Sequence, residues 1–431
     1  MNTSKINLLP HQIDVLEQVK DKSRCAMYLD MGLGKTYTGS EKMAQLNTRV
    51  NLVICQKSKV NDWVNHIFDN YDDYEVYDLT QKDEYAMFIL RSDDDYESEF
   101  YEGNPICGVI NYELAFRREL LSSIKDFTLI LDESSLIQNE TAKRSKFILK
   151  KLNPKNVILL SGTPTSGKYE RLWSQMNLLG WNISKRMYYA QYVDMQISDD
   201  GYPIITGYKN VERLKRKMRE HGCIFMKSDE VLDLPQQNFI NVNVPETKEY
   251  KHFKKHGIIK FGDIELIGDT TLTKLLYSRI LCGHYNDDKL KVFQGLAEST
   301  DDRLIVFYNF KDEVKKLIHI ANELKKPWSI VCGEQKTLAS YENFDNSITF
   351  IQYQAGAMGL NLQLANKIIY FTPPLSSELF EQSKKRVHRI GQNKACFYYQ
   401  LKCGIDYKVY ETLEMRKDYT DKLFEGDFNN E

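Results

Sequence analysis

No stretch of this sequence is apolar over the length that a bilayer-spanning helix requires, although 42% of its 431 residues are hydrophobic. Residues 1–7 lack the apolar core of a secretion signal. The eight cysteines include no CxxC pair, and scattered cysteines of this kind are typical of reduced thiols. These absences argue against a membrane-spanning or disulfide-stabilised protein and predict a cytoplasmic location.

A strong excess of charge of either sign is also missing, because 58 basic residues face 60 acidic ones and the net charge is -2. A protein that coats nucleic acid over its whole surface is therefore not expected, and any contact with nucleic acid must come from a local patch. The length exceeds what one hydrophobic core normally supports, so two or three domains are expected.

The predicted fold class is α/β, with two parallel sheets. Short apolar runs rich in β-branched residues recur, each followed by a turn and then a helical pattern, which is typical of parallel strands buried on both faces. The runs are 25–29, 50–54, 106–110, 127–131 and 156–160 in the first half, and 303–307, 328–331, 347–352, 367–371 and 396–401 in the last third.

The middle of the chain is charged and helical in its periodicity, so we interpret it as a helical insertion. Residues 232–235, Leu-Asp-Leu-Pro, predict its exit into an extended linker. A final helix is predicted over 406–424, with Ile405, Val409 and Leu413 on one face. The predicted domains are an N-terminal lobe (1–167), the helical segment (168–285) and a C-terminal lobe with the terminal helix (286–431).

A glycine-rich loop ending in Lys-Thr follows the first predicted strand. Gly32 and Gly34 would let backbone N–H groups approach the phosphates of ATP. Lys35 would reach the β- and γ-phosphates, and Thr36 would bind Mg²⁺. Leu29 stands where the strict P-loop pattern has its first glycine, so a glycine turn that caps a strand is the alternative.

Two further segments carry candidate catalytic residues. An apolar strand ends in Asp132, expected to hold Mg²⁺ through water, and Glu133, expected to orient or deprotonate the attacking water. The segment 382–392 places Arg386 and Arg389 about one helical turn apart. These arginines would neutralise charge that develops on the γ-phosphate, and a solvated basic helix face is the alternative.

Two weaker signals accompany them. A Ser-Gly-Thr-Pro sequence begins at Ser161, where hydroxyls would link the ATP site to a bound polymer, although a plain turn fits equally. Gln12 would contact adenine, and a helix start explains the same residues. Cys282 and His284 are interpreted as interior residues, because no second ligand pair with zinc spacing stands nearby.

Taken in order, these segments resemble the motifs of the Swi/Snf-type DNA-dependent ATPases of helicase superfamily two, over nearly the whole chain. The family shares the departure at Leu29, and the chain is most similar to its compact bacterial and phage members. The segments that carry the resemblance are Gln12, 30–36, 53–58 leading to Trp63, 109–113, 132–135, 160–164, 305–310, 355–362 and 382–392. The last two are highly specific to the family.

The resemblance implies two RecA-like lobes with a helical insertion, ATP and Mg²⁺ between the lobes, and double-stranded DNA across their top. By motif position, Gly359 and Gln382 would belong to the ATP site. Contacts to the DNA backbone, which position a protein without reading sequence, are implied for Lys57, Ser58, Asn111, Tyr112, Ser161, Asn309 and Gly356.

The predicted function is thus a DNA-dependent ATPase that translocates on duplex DNA, with branched or single-stranded DNA as further partners and a protein partner left open. Ser135 departs from the family, which usually has histidine there to couple ATP to the polymer. A strand-separating helicase is one alternative, although no wedge element is evident. An ATP-gated DNA-binding scaffold with weak turnover is another, motivated by Ser135.

Overall fold

The chain divides into two units between Val231 and Leu232. The first unit comprises Met1–Val231 with Asp418–Glu431, and the second comprises Leu232–Lys417. The computed structural model describes residues 4–93, 103–165, 167–198, 201–261, 264–356 and 360–424. None of the helices it describes is long and apolar enough to cross a membrane.

Seven strands of the first unit form one sheet in which every neighbouring pair is parallel. The unit's strands are β1 (Arg24–Leu29), β2 (Val50–Cys55), β3 (Glu75–Asp78), β4 (Ile106–Asn111), β5 (Thr128–Asp132), β6 (Asn156–Leu160), β7 (Val193–Ile197), β8 (Pro203–Tyr208) and β9 (Cys223–Met226). The sheet order is β3-β4-β2-β5-β6-β1-β9, and β7 and β8 form an antiparallel hairpin.

Helices join these parallel strands, since such strands require crossover connections. The carboxyl ends of the strands meet at one edge, so the segments that follow β1, β2, β4, β5 and β6 gather there. The helices are α1 (Pro10–Gln18), α2 (Lys35–Leu46), α3 (Val60–Asn70), α4 (Lys82–Ser92), α5 (Tyr112–Ala115), α6 (Lys143–Lys150), α7 (Trp173–Leu178), α8 (Lys185–Tyr192), α9 (Val211–Glu220) and α10 (Ser228–Val231).

The second unit repeats the plan with seven strands in the order β10-β18-β17-β13-β16-β14-β15, parallel except for β14 with β15. A separate hairpin pairs β11 with β12. The strands are β10 (Gln237–Asn243), β11 (Ile258–Phe261), β12 (Ile264–Ile267), β13 (Leu304–Tyr308), β14 (Trp328–Val331), β15 (Lys336–Thr337), β16 (Ile348–Gln352), β17 (Lys367–Tyr370) and β18 (Cys396–Lys402). The helices are α11 (Lys248–His256), α12 (Thr271–Cys282), α13 (Asp287–Glu298), α14 (Lys311–Glu323), α15 (Ala339–Asn343), α16 (Tyr353–Gly356), α17 (Ser377–Lys384) and α18 (Asp406–Phe424), of which the part up to Lys417 belongs to this unit.

The two RecA-like parallel sheets are confirmed, and each of the ten predicted strands is present with its ends shifted by at most one residue. The middle segment is not helical throughout, because it also contains both hairpins and two strands that extend the main sheets. β9 pairs with β1, and β10 pairs with β18. The run Cys-Ile-Phe-Met of β9 has four residues, too few to stand out beside the charged helix α9 that precedes it.

The terminal helix begins at a buried ion pair. Lys289 Nζ donates to Asp406 Oδ2 at 2.7 Å, and both side chains have no exposed surface. Asp406 also accepts the backbone N–H of Cys403 at 3.2 Å, which fixes the turn into α18. Val409 and Leu413 are buried one and two turns on, as the apolar spacing predicts.

Candidate functional site

The loop between β1 and α2 has left-handed backbone at two glycines, with φ of 91° at Gly32 and 73° at Gly34. A side chain at Gly34 would also place its Cβ 2.1 Å from Gln12 Nε2. Both positions therefore require glycine. Because Gly34 is the N-cap of α2, no side chain caps the first N–H groups of that helix. A helix start of this kind is suited to an anion.

Lys35 is the first residue of α2, and its ammonium folds back over the loop. Its Nζ donates to the carbonyl oxygens of Leu29 at 3.0 Å and Asp30 at 3.2 Å. A Cβ at Gly162 would lie 3.3 Å from the same Nζ. The glycine after β6 therefore leaves room for the lysine, and the arrangement places a cation beside the uncapped helix start.

The start of α1 braces this loop. Gln12 Nε2 donates to Leu33 O at 3.1 Å, and His11 Nε2 lies 3.2 Å from the same oxygen. Gln12 Oε1 accepts the N–H of Leu9 at 2.9 Å. The contact of Gln12 with adenine remains a prediction. Its contact with the loop is a structural role that the sequence did not indicate, and the sequence also gave no sign that His11 contacts the loop.

Asp30 anchors the other end of the loop to the strand beside it. Its Oδ2 accepts the Ser228 hydroxyl at 2.7 Å and the Ser228 N–H at 3.3 Å, and its backbone N–H donates to Met226 O at 2.9 Å. The segment at the end of β9 therefore holds the start of the loop between β1 and α2, which is called the phosphate loop below. The middle segment, predicted to be helical, thus contributes the strand β9 beside β1.

Ser228→Ala should lower the free energy of unfolding of the first unit by about 2 kcal/mol, since a hydrogen bond to a charged acceptor is lost. This corresponds to a fall of about 4–8 °C in melting temperature for a unit of this size. Thermal unfolding of purified protein measures it. Ser123→Ala is the matched control, because Ser123 is exposed and its hydroxyl donates to Leu120 O. Equal melting temperatures for both variants would show that the Asp30 contact contributes nothing.

The backbone turns sharply after β5, where Glu133 has a φ of 58°. A left-handed glutamate is uncommon and persists where surrounding contacts fix it. The buried Tyr112 supplies such contacts, because its hydroxyl donates to Asp132 O at 3.0 Å and lies 3.4 Å from Glu133 O. The turn aims the Glu133 side chain at the carboxyl edge of the sheet.

Two serine hydroxyls hold the Glu133 carboxylate. Ser161 Oγ donates to Glu133 Oε1 at 2.7 Å, and Ser135 Oγ donates to the same oxygen at 3.0 Å. Burial raises the pKa of Glu133, while Lys35 and the two hydroxyls act in the opposite direction. A carboxylate with a raised pKa, oriented through one oxygen, is suited to accept a proton from water on the other.

Asp132 ends β5 beside it, and Trp63 Nε1 donates to its Oδ2 at 2.9 Å. Trp63 is 1% exposed, so the carboxylate is fixed by a residue that cannot move freely. The described residues include no group of three or more His, Cys, Asp or Glu side chains placed to hold a metal ion. Thr36 and Asp132 nonetheless fit Mg²⁺, which typically takes one or two protein oxygens and completes its shell with phosphates and water.

The predicted arginines lie in the second unit, but not on a helix. α17 ends at Lys384, so Arg386 and Arg389 follow it in a turn, and the predicted helical spacing is wrong. Gly391 has a φ of 94°, which is incompatible with a continuing helix. The helical spacing was inferred from the sequence separation of the two arginines alone, whereas side chains further along the chain contact the turn.

Gln392 and His388 hold this turn. Gln392 Nε2 lies within hydrogen-bond distance of three carbonyl oxygens, those of Gln363 (3.1 Å), Ala365 (2.7 Å) and Val387 (3.3 Å). His388 Nε2 lies 2.9 Å from Pro235 O. These contacts give the histidine and the glutamine beside the arginines a structural role, since both side chains bind carbonyl oxygens and thereby hold the turn in place.

Arg386 is 3% exposed, and Arg389 is half-buried. Burial lowers the pKa of Arg389, although a guanidinium remains charged in proteins. Gln382 is buried on α17, with its Nε2 3.4 Å from Glu378 Oε1. Gly359 lies outside the described residues. The structure thus holds two charged arginines in a fixed turn of the second unit.

Comparison with known families decides what these two units are. Residues 12–291 match the SNF2-related domain, and residues 288–391 match the helicase conserved C-terminal domain. The chain belongs to the SNF2-related family. The first match begins at Gln12, and the second ends at Gly391, so the two matches contain the phosphate loop and the arginine turn.

This SNF2-related chain is similar to much longer proteins. It is 24% identical to the DNA repair and recombination protein RAD26 of Saccharomyces cerevisiae, over 72% of the chain and 32% of that protein. It is 22% identical to the ISWI chromatin-remodeling complex ATPase ISW1 of the same yeast, over 95% of the chain and 40% of that protein. The chain therefore spans about a third to two fifths of their length.

A bacterial relative is nearer in size. The uncharacterized ATP-dependent helicase YqhH of Bacillus subtilis is 22% identical over 91% of the chain and 75% of that protein. Among solved structures, the Sulfolobus solfataricus SWI2/SNF2 ATPase core in complex with dsDNA aligns with a TM-score of 0.46 at 20% identity, covering 99% of this chain and 95% of that one.

The predicted DNA contacts of the SNF2-related chain differ in exposure. Lys57 and Ser58 lie on an exposed turn after β2. Tyr112 and Ser161 are fully buried. The Tyr112 hydroxyl contacts the backbone carbonyls of Asp132 and Glu133, and the Ser161 hydroxyl donates to the Glu133 carboxylate, so neither side chain faces the surface. Asn111 is 6% exposed and donates to Glu113 Oε2 at 3.1 Å. Gly356 ends α16.

Asn309 is likewise engaged inside the protein. Its Nδ2 lies within 3.1 Å of three acceptors, namely Thr372 O, Thr372 Oγ1 and Pro373 O. Its backbone N–H donates to Glu313 Oε2 at 2.9 Å, and Thr372 donates to the same carboxyl at 3.0 Å. Asn309 therefore ties the end of β13 to the loop after β17, a role that the sequence did not indicate.

Glu313 makes the stability of the second unit depend on pH. Burial raises its pKa from 4.5 to about 7, although two backbone N–H groups and Lys289 oppose this. The folded state therefore binds the proton more tightly, and stability should fall as pH rises from 4.5 to 7, by up to about 3 kcal/mol. Urea unfolding between pH 5 and 8 measures the loss.

Glu313→Gln should flatten this pH profile, since the amide can accept the same N–H bonds without titrating. Glu342→Gln is the matched control, because Glu342 is exposed on α15. If the Glu313→Gln variant still lost stability between pH 5 and 7 as the wild type does, the effect would belong to another group.

Proposed function

We propose that this chain is a DNA-dependent ATPase that translocates on double-stranded DNA. ATP and Mg²⁺ would bind at the loop before α2, with Lys35 at the β- and γ-phosphates, Thr36 as a magnesium ligand and Asp132 holding the ion through water. Glu133 accepts a proton from the attacking water. Arg386 and Arg389 of the second unit complete the site when the two units close, and repeated closure moves the protein along DNA.

The observation that carries this proposal is the convergence of catalytic groups at one sheet edge of the first unit. Lys35, which follows β1, is near enough to Glu133, which follows β5, to oppose the rise in its pKa. Ser161, which follows β6, donates to Glu133 directly. A phosphate-binding lysine and an oriented carboxylate in one place are the parts that hydrolysis of a γ-phosphate needs.

Mg²⁺ supplies charge neutralisation at the phosphates when it is bound. The chain's own groups do the remaining work. Lys35 binds the phosphates and keeps them against the helix start, Asp132 is held in place by Trp63, and Glu133 takes the proton at Oε2 because both serine hydroxyls occupy Oε1. The arginines add positive charge where the transition state becomes more negative.

Duplex DNA is proposed as the track because named relatives act on DNA or chromatin, among them RAD26 and ISW1. The exposed Lys57 and Ser58 are the phosphate contacts that the geometry favours most, because both lie at the catalytic edge of the first sheet. Backbone contacts of this kind would bind any sequence and weaken with salt.

Ser135→Ala and Ser161→Ala should each lower kcat about 10-fold, since each removes one hydrogen bond to the Glu133 carboxylate. Loss of a donor also raises the pKa of the carboxylate, so the acid limb of the pH profile of kcat should move to higher pH. Steady-state hydrolysis at pH 5.5 to 8.5 measures both effects. Because both hydroxyls share one oxygen, the double variant should fall short of the product of the two losses.

Ser122→Ala is the control, because Ser122 is exposed and donates to Glu119 O. If Ser135→Ala matched this control in rate and pH profile, Ser135 would have no part in catalysis. The scaffold alternative, which Ser135 motivated, would be favoured instead by stoichiometric ATP binding with turnover that DNA does not change.

Translocation is tested by strand displacement. A motor that moves along duplex DNA should displace the third strand of a triplex in the presence of ATP, and Lys35→Ala should not. On a forked duplex the same protein should leave the paired strands together. Unwinding of the fork without triplex displacement would replace the translocase with the strand-separating helicase.

A further inference from the structure

A cavity of about 500 Å³ opens in the second unit, apart from every residue assigned to the ATP or DNA sites above. Four elements form it, namely the end of α11, the β11–β12 hairpin, the start of α12 and the start of α18. Among its described lining residues no side chain is acidic, and five are basic: Lys254, Lys255, His256, Lys274 and Lys408.

Helix stability explains only part of this set. Basic residues in the last turn of α11 interact favourably with the negative end of that helix. Lys274 and Lys408, however, lie in the first turns of α12 and α18, where a positive charge is unfavourable. The interaction of charges with helix ends therefore does not explain why Lys274 and Lys408 lie beside the basic residues of α11.

The charges in the cavity are largely uncompensated. Lys254 lies 3.7 Å from Glu246, so one of the lysines has an acidic partner. Within the part of the chain that the structure describes, no ion pair reaches Lys255, Lys274 or Lys408, and all three are exposed. Three ammonium groups from three helices thus share one cavity, which gives it a positive potential.

Two glycines that line the cavity pack closely against other lining residues. A Cβ at Gly404, which has a φ of 49°, would lie 2.5 Å from the ring of Tyr250. A Cβ at Gly268 would lie 2.9 Å from the ring of Phe253 and 2.7 Å from Lys274 Cγ. Any side chain at either position would have to displace the rings that line the cavity, so its shape is fixed by packing.

We propose that this cavity binds phosphate groups through Lys255, Lys274 and Lys408. Its volume lies in the range of ligand sites, about 300–1,000 Å³. Lysine ammonium groups bind phosphate as point charges, and three of them on separate helices suit a ligand that carries more than one phosphate. Such a ligand is either a nucleic-acid backbone or a free polyphosphate, and the proposal holds whether or not the chain hydrolyses ATP.

The first test is calorimetric titration with inorganic tripolyphosphate. The full chain carries Lys35→Ala, so that the loop before α2 does not compete. Adding Lys255→Glu, Lys274→Glu and Lys408→Glu should weaken binding at least about 10-fold, a loss expected when three charged contacts are reversed. Reversal of Lys248, Lys251 and Lys336, which are exposed and do not line the cavity, is the charge-matched control and should leave the affinity unchanged.

The second arm uses a fluorescent duplex and measures its affinity at several salt concentrations. If backbone phosphates enter the cavity, the triple reversal should reduce the slope of log K against log salt by about 2–3, since each lost phosphate contact contributes about 0.9. A loss confined to tripolyphosphate would identify a free polyphosphate as the ligand. Unchanged binding in both arms would overturn the proposal.

Protein stability separates binding from folding in these variants. Glutamate in place of Lys274 and Lys408 is favourable at a helix start and offsets the unfavourable Lys255→Glu change in the last turn of α11, so the melting temperature should not fall. If it does fall, Lys255→Gln, Lys274→Gln and Lys408→Gln provide the second set, which removes the charges without reversing them. The glutamine variants should weaken binding of the ligand that the glutamate variants affected, by a smaller factor than those variants do. Unchanged binding of both tripolyphosphate and duplex DNA would again overturn the proposal.

Discussion

Glu133→Gln should lower the kcat of ATP hydrolysis by about 1,000-fold while ATP still binds, because the amide cannot take the proton of the attacking water. Glutamine keeps an oxygen that can accept the hydroxyls of Ser135 and Ser161, so the side chain should stay in place. Hydrolysis is measured under saturating ATP, and ATP binding is measured separately by equilibrium titration.

Glu119→Gln is the matched control, since Glu119 is an exposed glutamate of the same unit. It should retain wild-type kcat. If the Glu133→Gln variant hydrolysed ATP within about 10-fold of wild type, Glu133 would not be the general base, since such a base contributes about 100- to 10,000-fold. Asp132 would then be the residue to test next.

Arg389→Ala should bind ATP nearly as tightly as wild type but lower kcat by about 1,000-fold or more, as loss of an arginine finger does. The reason is that the guanidinium acts on charge that appears only in the transition state, so the ground-state complex loses little. Arg389→Lys should recover little activity, because an ammonium cannot reproduce the planar fork of donors.

Lys385→Ala provides the control from the same turn, and it should change kcat less than about 3-fold, as expected of a partly exposed basic residue without a role in the transition state. Melting temperatures of both variants show whether the turn held by Gln392 and His388 is intact. Unchanged turnover in Arg389→Ala would contradict closure of two units around ATP, because the first unit would then hydrolyse ATP by itself.

The sequence predicted the sheets well, because their strands are apolar runs bounded by turns. Runs such as 156–160 and 328–331 agree with the observed strands at both ends. The signal is strong since a strand buried on both faces must be apolar along its whole length. The glycines of the phosphate loop were also predictable, because only glycine adopts the left-handed backbone of Gly32 and Gly34 at little cost.

What the sequence could not provide was long-range pairing. Ser228 meets Asp30 across 198 positions, and Ser161 meets Glu133 across 28. Nothing in a local pattern marks such partners, because a buried serine in a turn looks the same whether or not it serves a carboxylate. The family resemblance assigned Ser161 to DNA, whereas the structure places its hydroxyl on Glu133.

The turn that contains Arg386 and Arg389 also depends on contacts with distant residues. The sequence placed Arg386 and Arg389 about one helical turn apart, yet the helix ends at Lys384 and a turn follows, in which Gln392 donates to the carbonyl oxygens of residues 363, 365 and 387. Two of these contacts, with residues 363 and 365, join positions that are 29 and 27 residues apart, which is further than the helical periodicity of a sequence extends. The residue types were correctly singled out, and their local conformation was not.

Steady-state ATP hydrolysis with no polymer, single-stranded DNA, duplex DNA or RNA, with Lys35→Ala as the blank, tests whether the chain is a motor driven by duplex DNA. We expect strong stimulation by duplex DNA and weak stimulation by the other polymers. A rate that stays the same with every polymer, yet exceeds the blank, would contradict a DNA-dependent motor, and stimulation confined to single strands would favour the helicase.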